Sequence, residues 1–273
     1  MKPRSTRPLE SNPCEPIQAD LSCMLDGELQ PAAVRRVLVH MEVCPRCQEF
    51  FMGMRRNILL HRDLRGFLGQ GRDTRTAGAR KERRLHLARI FYELGKAYVL
   101  LFCSPGFRRE VAVEPVPIPA ARLQGRDLLE DVMGADERRQ PWVHAHSLLN
   151  GHLDSELDNL AKGIALLEEG LAIQPKLYEA RIYLGHARNL QGDMENACEE
   201  FRIVLRSSKE LPIRGYALEN LGNVYLQLGE LQDAARCFRR VVQGEVLAQE
   251  PRFFTSWFNL GLTYALLGYF EES

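Results

Sequence analysis

"LGNVYLQLGELQDAARCF", residues Leu221–Phe238, decides the fold. Leu221 and Gly222 open it, Tyr225 follows one turn later, Gly229 interrupts, and Ala234 and Phe238 lie beyond the interruption. The spacing predicts a helix, a glycine stop and a second helix. Glycine and alanine let the paired helices approach, and the leucine and aromatics fill the gap between them. The pattern recurs on either side. "LGHARNLQGDMENACEEF" carries Leu184, Gly185, Gly192, Ala197 and Phe201 at the same offsets, with Arg188 where the aromatic sits in the other copy. "WFNLGLTYALLG" carries Trp257, Leu260, Gly261, Tyr264 and Gly268. The steps are 37 residues from Leu184 to Leu221 and 39 to Leu260, and the extra residues fall around Pro212 and "GEVLAQEP", where loops are expected. "LAKGIALLEEGLAIQP", ending at Pro175, reads as the second helix of a degenerate first copy.

Self-similarity of this kind resembles the tetratricopeptide repeat. One helix pair cannot bury its apolar face alone, so neighbours must stack. The resemblance implies a concave groove that receives a peptide or a partner helix, although a fold does not name its partner. Cys198 and Cys237 fall on second helices and read as core. Residues 136–273 are taken as the repeat array. Its last copy supplies one helix and then "YFEES", so the full-length protein is expected to continue with at least one more helix.

Toward the N-terminus the chain changes character. Four of its seven cysteines lie between residues 14 and 47, in a pattern Cys14-x25-His40-x3-Cys44-x2-Cys47 with Cys23 in between. Three thiolates and an imidazole form a normal tetrahedral zinc set. Local signals favour convergence. Gly27 suits the end of one helix and Pro31 the first turn of the next. On that next helix Val34, Val37, Leu38 and Met41 form an apolar stripe, with His40 on its flank. Pro45 disfavours helical geometry at Cys44 and restarts a helix beyond it. The bend gathers His40, Cys44 and Cys47, and Cys14 closes the site. Read alone, "CPRC" would also suit a redox dithiol, but that motif belongs beside a strand–helix–strand unit and the flanks here are helical. Cys23 lies on a predicted helix and reads as core. Four protein ligands leave no open position, which favours a structural site over a catalytic one.

"LSCMLDGELQP" and "HMEVCPRC" resemble the zinc-binding anti-sigma domain, a small helical module that binds extracytoplasmic-function sigma factors. The resemblance covers roughly residues 10–66. It implies Zn2+ held by Cys14, His40, Cys44 and Cys47, and a sigma factor as partner. Many members carry a membrane helix after the module; none is legible here, which is similar to the soluble members.

Residues 67–135 read as a linker with one amphipathic helix and a proline-rich extended segment. Gly66 to about Glu82 is rich in Gly, Arg and Thr, and its basic run Arg80–Arg84 has no interleaved aromatics, which argues for solvation over nucleic-acid binding. Leu85 to Cys103 reads as a helix with Leu87, Ile90, Phe91, Leu94, Tyr98 and Leu101 on one face. By the resemblance it contributes to sigma binding; otherwise it packs on the repeats. "SPGFRREVAVEPVPIPAARLQ" then reads as an extended connector.

The formal net charge is +0, so no global field draws in nucleic acid or an anionic membrane. The longest strongly apolar stretch, Ala97 to Cys103, is too short to span a bilayer. The N-terminus lacks the apolar core of a signal peptide. The expected location is the cytoplasm, where cysteines serve as ligands, reactive thiols or core residues more often than as disulfides. No paired carboxylates, nucleophile elbow or phosphate loop is legible, so an enzyme is not expected. The expectation is an all-α protein: a zinc-stapled module at residues 1–66 and a helical repeat array, acting as an anti-sigma factor or related transcription regulator whose repeats bind a second protein. The alternative is an interaction scaffold in which the zinc module is purely structural.

Overall fold

The computed structural model describes residues 14–26, 30–53, 74–113, 156–244 and 253–269. Among these residues there are eleven helices and no strand. They are α1 (Cys14–Asp26), α2 (Pro31–Val43), α3 (45–53), α4 (Thr74–Cys103), α5 (Pro105–Val113), α6 (Glu156–Ile173), α7 (Tyr178–Gln191), α8 (Met194–Ser207), α9 (Leu211–Leu228), α10 (Leu231–Val242) and α11 (Phe254–Leu267). No helix among the described residues is long and apolar enough to cross a membrane. The expected stop at Gly27 and the side chain of Cys23 lie outside the described residues.

The chain divides into two compact units. One holds α1–α3, α4 as far as Ile90, and α5. Pro31 stands at the first turn of α2, as the sequence requires, and Cys44 leaves the helix in an extended conformation (φ −117°, ψ 100°) ahead of Pro45. The stripe Val34, Val37, Leu38 and Met41 is buried, with Ile17 and Leu21 of α1 and Phe51 of α3. Two ion pairs brace α2. Arg36 donates twice to the Asp20 carboxylate of α1, at 3.0 and 3.2 Å, and Arg35 donates to Glu110 of α5 at 2.9 Å.

The connector from Ser104 differs from its extended reading. Residues Pro105–Val113 are helical, and the rest of the expected proline-rich segment lies outside the described residues. Pro105 opens the helix, and the Ser104 hydroxyl accepts from the Phe107 backbone N–H at 3.3 Å. This is an N-cap followed by proline in the first turn, a strong local start signal. Likewise α4 begins at Thr74, inside the stretch read as linker.

The other unit holds Phe91–Phe102 of α4 and α6–α11. In α7/α8 and α9/α10 the helix pair closes on a glycine. A Cβ placed on Gly185 would lie 2.7 Å from the Phe201 ring, and one on Gly222 would lie 2.7 Å from the Phe238 ring. Only a residue without a side chain permits that approach. Gly192 and Gly229 then turn the chain with positive φ (89° and 74°). Phe201 and Phe238 are fully buried, each worth about 2–3 kcal/mol relative to exposure. Cys198 and Cys237 are buried core residues, and burial pushes the Cys237 thiol up to about 11.

The same geometry appears a third time, at a place where only its second helix is legible in the sequence. Gly95 of α4 meets α6 as closely as the other pairs meet: its Cβ would lie 2.8 Å from Leu167 Cγ and 3.0 Å from the Gly163 carbonyl oxygen. Leu94, Gly95 and Tyr98 stand at the offsets of Leu221, Gly222 and Tyr225. Gly163 and Leu167 stand where Ala234 and Phe238 stand in the third pair. Tyr92 and Val99 join Leu160, Leu167, Leu171, Ala180 and Leu184 in one core cluster. The last turns of α4 are therefore the first helix of the first repeat, and α6 is its second helix. The boundary expected at residue 136 lies outside the described residues.

Candidate metal centre

Three local devices bring the donor atoms together. Cys14 opens α1, His40 lies in the last turn of α2, and Cys44 and Cys47 flank the start of α3. The Cys44 backbone N–H donates to the His40 carbonyl at 2.9 Å, and the Cys47 and Gln48 N–H groups both donate to the Cys44 carbonyl, at 3.1 and 3.0 Å. The Gln48 side chain reaches back to the Met41 carbonyl at 2.6 Å, locking the bend between α2 and α3. The Asp20–Arg36 pair then fixes α1, and with it Cys14, against α2.

One ligand atom from each of Cys14, His40, Cys44 and Cys47 lies within 4.8 Å of all the others, and all four residues are buried. Cys14 Sγ and Cys44 Sγ are 3.6 Å apart. Two sulfurs on a tetrahedral zinc, each bonded at about 2.3 Å, stand about 3.8 Å apart, so the pocket already has the size of the ion. His40 Nε2 is buried and makes no hydrogen bond. An imidazole nitrogen in that condition is costly unless something accepts its lone pair or proton. Burial pushes the Cys14 thiol up, and burial together with the neighbouring Cys44 sulfur pushes the Cys47 thiol up. A bound divalent cation reverses that balance, because a coordinating thiol gives up its proton outright. Soft thiolates with one imidazole suit zinc better than the oxygen-loving cations. Four protein donors make the centre closed, with no position for a substrate.

The structure thus brings all four sequence-predicted ligands to one point. What the sequence reading missed lies in the repeats. Arg188, noted as a departure from the aromatic consensus, donates to Glu168 of α6 at 2.9 Å and to the buried Glu200 of α8 at 2.7 Å, and Arg181 shares Glu200. Along the first helices of the pairs, Asn259 donates to Asn223 at 3.0 Å, and Glu219 accepts from Ser256 at 3.0 Å and from Thr255.

Fold and centre together define a metal-binding Cys3His module followed by tetratricopeptide-type repeats. Comparison with known families agrees at both ends. Residues 14–48 match the model of a zinc-finger family. Residues 215–243 match the tetratricopeptide repeat family. Among curated proteins, none matches this sequence.

Proposed function

We propose that this chain is a cytoplasmic anti-sigma factor, or a closely related transcription regulator, whose zinc module holds a sigma factor of the extracytoplasmic-function type away from RNA polymerase. The single observation that carries the reading is the buried Cys14, His40, Cys44 and Cys47 cluster inside the residues matched by a zinc-finger family. The role of the metal is structural. It staples a module whose apolar core is too small to fold unaided, and binding in such sites contributes on the order of 10 kcal/mol. The repeats receive a second protein, and the chain works by binding rather than by catalysis.

A second reading, an interaction scaffold with a purely structural zinc module, has one observation in its favour. Tyr92, Leu94, Tyr98 and Val99 of α4 are buried, and Tyr92 and Val99 join the repeat core. That face of α4 is occupied without a sigma factor. The full chain, zinc-loaded, should bind one sigma factor of its host and suppress that factor's transcription in vitro, and Cys44→Ser should abolish both. Failure against every sigma factor of the host, with zinc and helicity intact, would leave the scaffold reading.

A further inference from the structure

The four donors of the metal centre are not all held in the same way. His40, Cys44 and Cys47 are separated by three and two residues. They sit on one bend fixed by backbone hydrogen bonds, with the Gln48 side chain donating to the Met41 carbonyl at 2.6 Å. Donors so close in sequence meet with little loss of chain entropy. Twenty-five residues separate Cys14 from His40, and Cys14 stands in the first turn of α1. Terminal turns are the first parts of a helix to open. The Cys14 sulfur reaches 3.6 Å from Cys44 Sγ through the docking of α1 on α2.

That docking has an apolar part and a charged part. Ile17 and Leu21 share the inward face of α1 with Cys14, at helical spacing, and are buried. Asp20 lies on the flank of the same helix, its side chain 19% exposed, and accepts two N–H groups of Arg36, at 3.0 Å from Nε and 3.2 Å from Nη2. Apolar contact is non-directional and tolerates rotation of one helix against the other. A two-point contact between planar groups does not. Arg36 stands one turn before His40 on α2, so the pair ties α1 to the part of α2 that carries a ligand.

We propose that Asp20 and Arg36 are positioning residues of the metal centre, and that their pair holds one ligand, Cys14, in place. The other three ligands do not depend on it. Breaking the pair lets α1 turn or slide on α2, takes Cys14 out of the donor set and leaves His40, Cys44 and Cys47 together. A closed set of four becomes a set of three, the number that leaves an open position in zinc sites. The pair therefore decides whether the centre is closed to outside donors such as small thiols. The ion pair between Arg35 and Glu110, at 2.9 Å, lies on the same helix but ties it to α5, which carries none of the four donors. It braces the module without selecting a donor. The role of Asp20 and Arg36 presupposes the metal assignment made above and is independent of which partner the module binds.

The test is alkylation of the zinc-saturated full chain with N-ethylmaleimide, with labelled cysteines identified by peptide mass spectrometry and zinc counted by elemental analysis. In the wild type Cys14, Cys44 and Cys47 should be protected while the exposed Cys103 reacts. Asp20→Asn should speed labelling of Cys14 roughly 10-fold or more, the scale expected of a lost bidentate charged pair, with Cys44 and Cys47 still protected and zinc still bound. Asp20→Arg combined with Arg36→Asp, which rebuilds the pair in reverse, should restore protection of Cys14. Arg35→Met should leave all three thiols protected. Equal protection of Cys14 in the wild type and Asp20→Asn overturns the positioning role and leaves the metal assignment standing. Loss of protection at Cys14, Cys44 and Cys47 together, unrelieved by the charge reversal, also overturns it, since the pair would then support the fold at large. A wild type that binds no zinc overturns the metal assignment, and this role with it.

Discussion

Arg239 of α10 donates to the hydroxyl of Tyr264 on α11, at 2.8 Å from Nε. Arg202 of α8 does the same for Tyr225 of α9, at 3.0 Å. In each case an arginine one residue after the buried phenylalanine of a second helix grips the tyrosine of the following repeat. At the preceding junction the same two positions hold Glu168 and Arg188, paired at 2.9 Å. The junction keeps its geometry and exchanges its chemistry. The cation moves to the far side, and Glu200 takes up its second arm.

Tyr264→Phe removes the acceptor of Arg239 and leaves the ring in place. The expected cost to the docking of α11 is about 1–2 kcal/mol, the range for a hydrogen bond to a charged group. Native-state hydrogen exchange should show α11 amides opening sooner, with α7 and α8 unaffected. Unchanged protection over residues 254–267 would show that the bond contributes nothing.

Arg188→Met leaves the buried Glu200 with Arg181 alone. Removing one partner of a buried ion pair costs about 3 kcal/mol, whereas replacing the whole group by apolar residues is often neutral. The single substitution should therefore lower the urea midpoint of the array, and Glu200→Leu added to it should recover part of the loss. Additive destabilisation by the two would refute a buried network at that junction.

Gly95→Ala tests the interrupted first repeat. The new Cβ would meet Leu167 and the Gly163 carbonyl oxygen, at 2.8 and 3.0 Å. Overpacking of this kind costs about 1–3 kcal/mol. Gly53→Ala makes a good control, since nothing lies within 4 Å of its Cβ position and helix propensity favours alanine. Thermal melts should separate the two clearly, with Gly95→Ala lowering the midpoint and Gly53→Ala leaving it equal or higher.

The metal centre makes opposite demands on pH in its two forms. Without metal, the Cys14 and Cys47 thiols are raised above their ordinary value. Stability from a raised thiol is complete below the unfolded-state value of about 8.5 and is lost as pH rises above it. With metal, ligation requires thiolate, so affinity rises with pH and binding releases protons. Chelated protein should weaken above about pH 8.5, zinc-loaded protein should weaken on acidification, and Cys44→Ser with Cys47→Ser should lose the metal by elemental analysis. Zinc retained at full stoichiometry in the double variant would exclude the assigned ligands.

Much of this is written locally in the chain. Pro31 and Pro45 set the limits of α2 because proline acts on its immediate neighbours, and the three-residue and two-residue gaps around Cys44 fix the ligand cluster on one bend. Glycine–leucine pairs place two complete repeats for the same reason. The features that escape are those whose meaning depends on distant residues. Leu94, Gly95 and Tyr98 match the repeat consensus, but their partners Gly163 and Leu167 lie beyond α5, so no period exposes them. Arg188 reads as a departure until Glu168 and Glu200 stand beside it. The start of α4 at Thr74 is hidden when glycine and threonine are weighted over alanine, arginine and lysine, which are good helix formers. The Ser104–Pro105 start of α5 is legible, and the prolines that follow it mask it.

The interruption of the first repeat also bears on the order in which the protein assembles. In the second and third repeats the two helices are joined by a turn of two residues, at Gly192 and Gly229. In the first, residues 104–155 intervene between α4 and α6. Closing a connection that much longer costs about 2–3 kcal/mol more in chain entropy, and contacts of large sequence separation form slowly. The array should therefore nucleate on its compact middle pairs and add Phe91–Phe102 last. On the ribosome α4 emerges well before α6, so its apolar face, with Tyr92, Tyr98 and Val99, waits uncovered until the chain has been made past residue 173. That interval, rather than the finished fold, is where this protein is most exposed to aggregation and most in need of a chaperone.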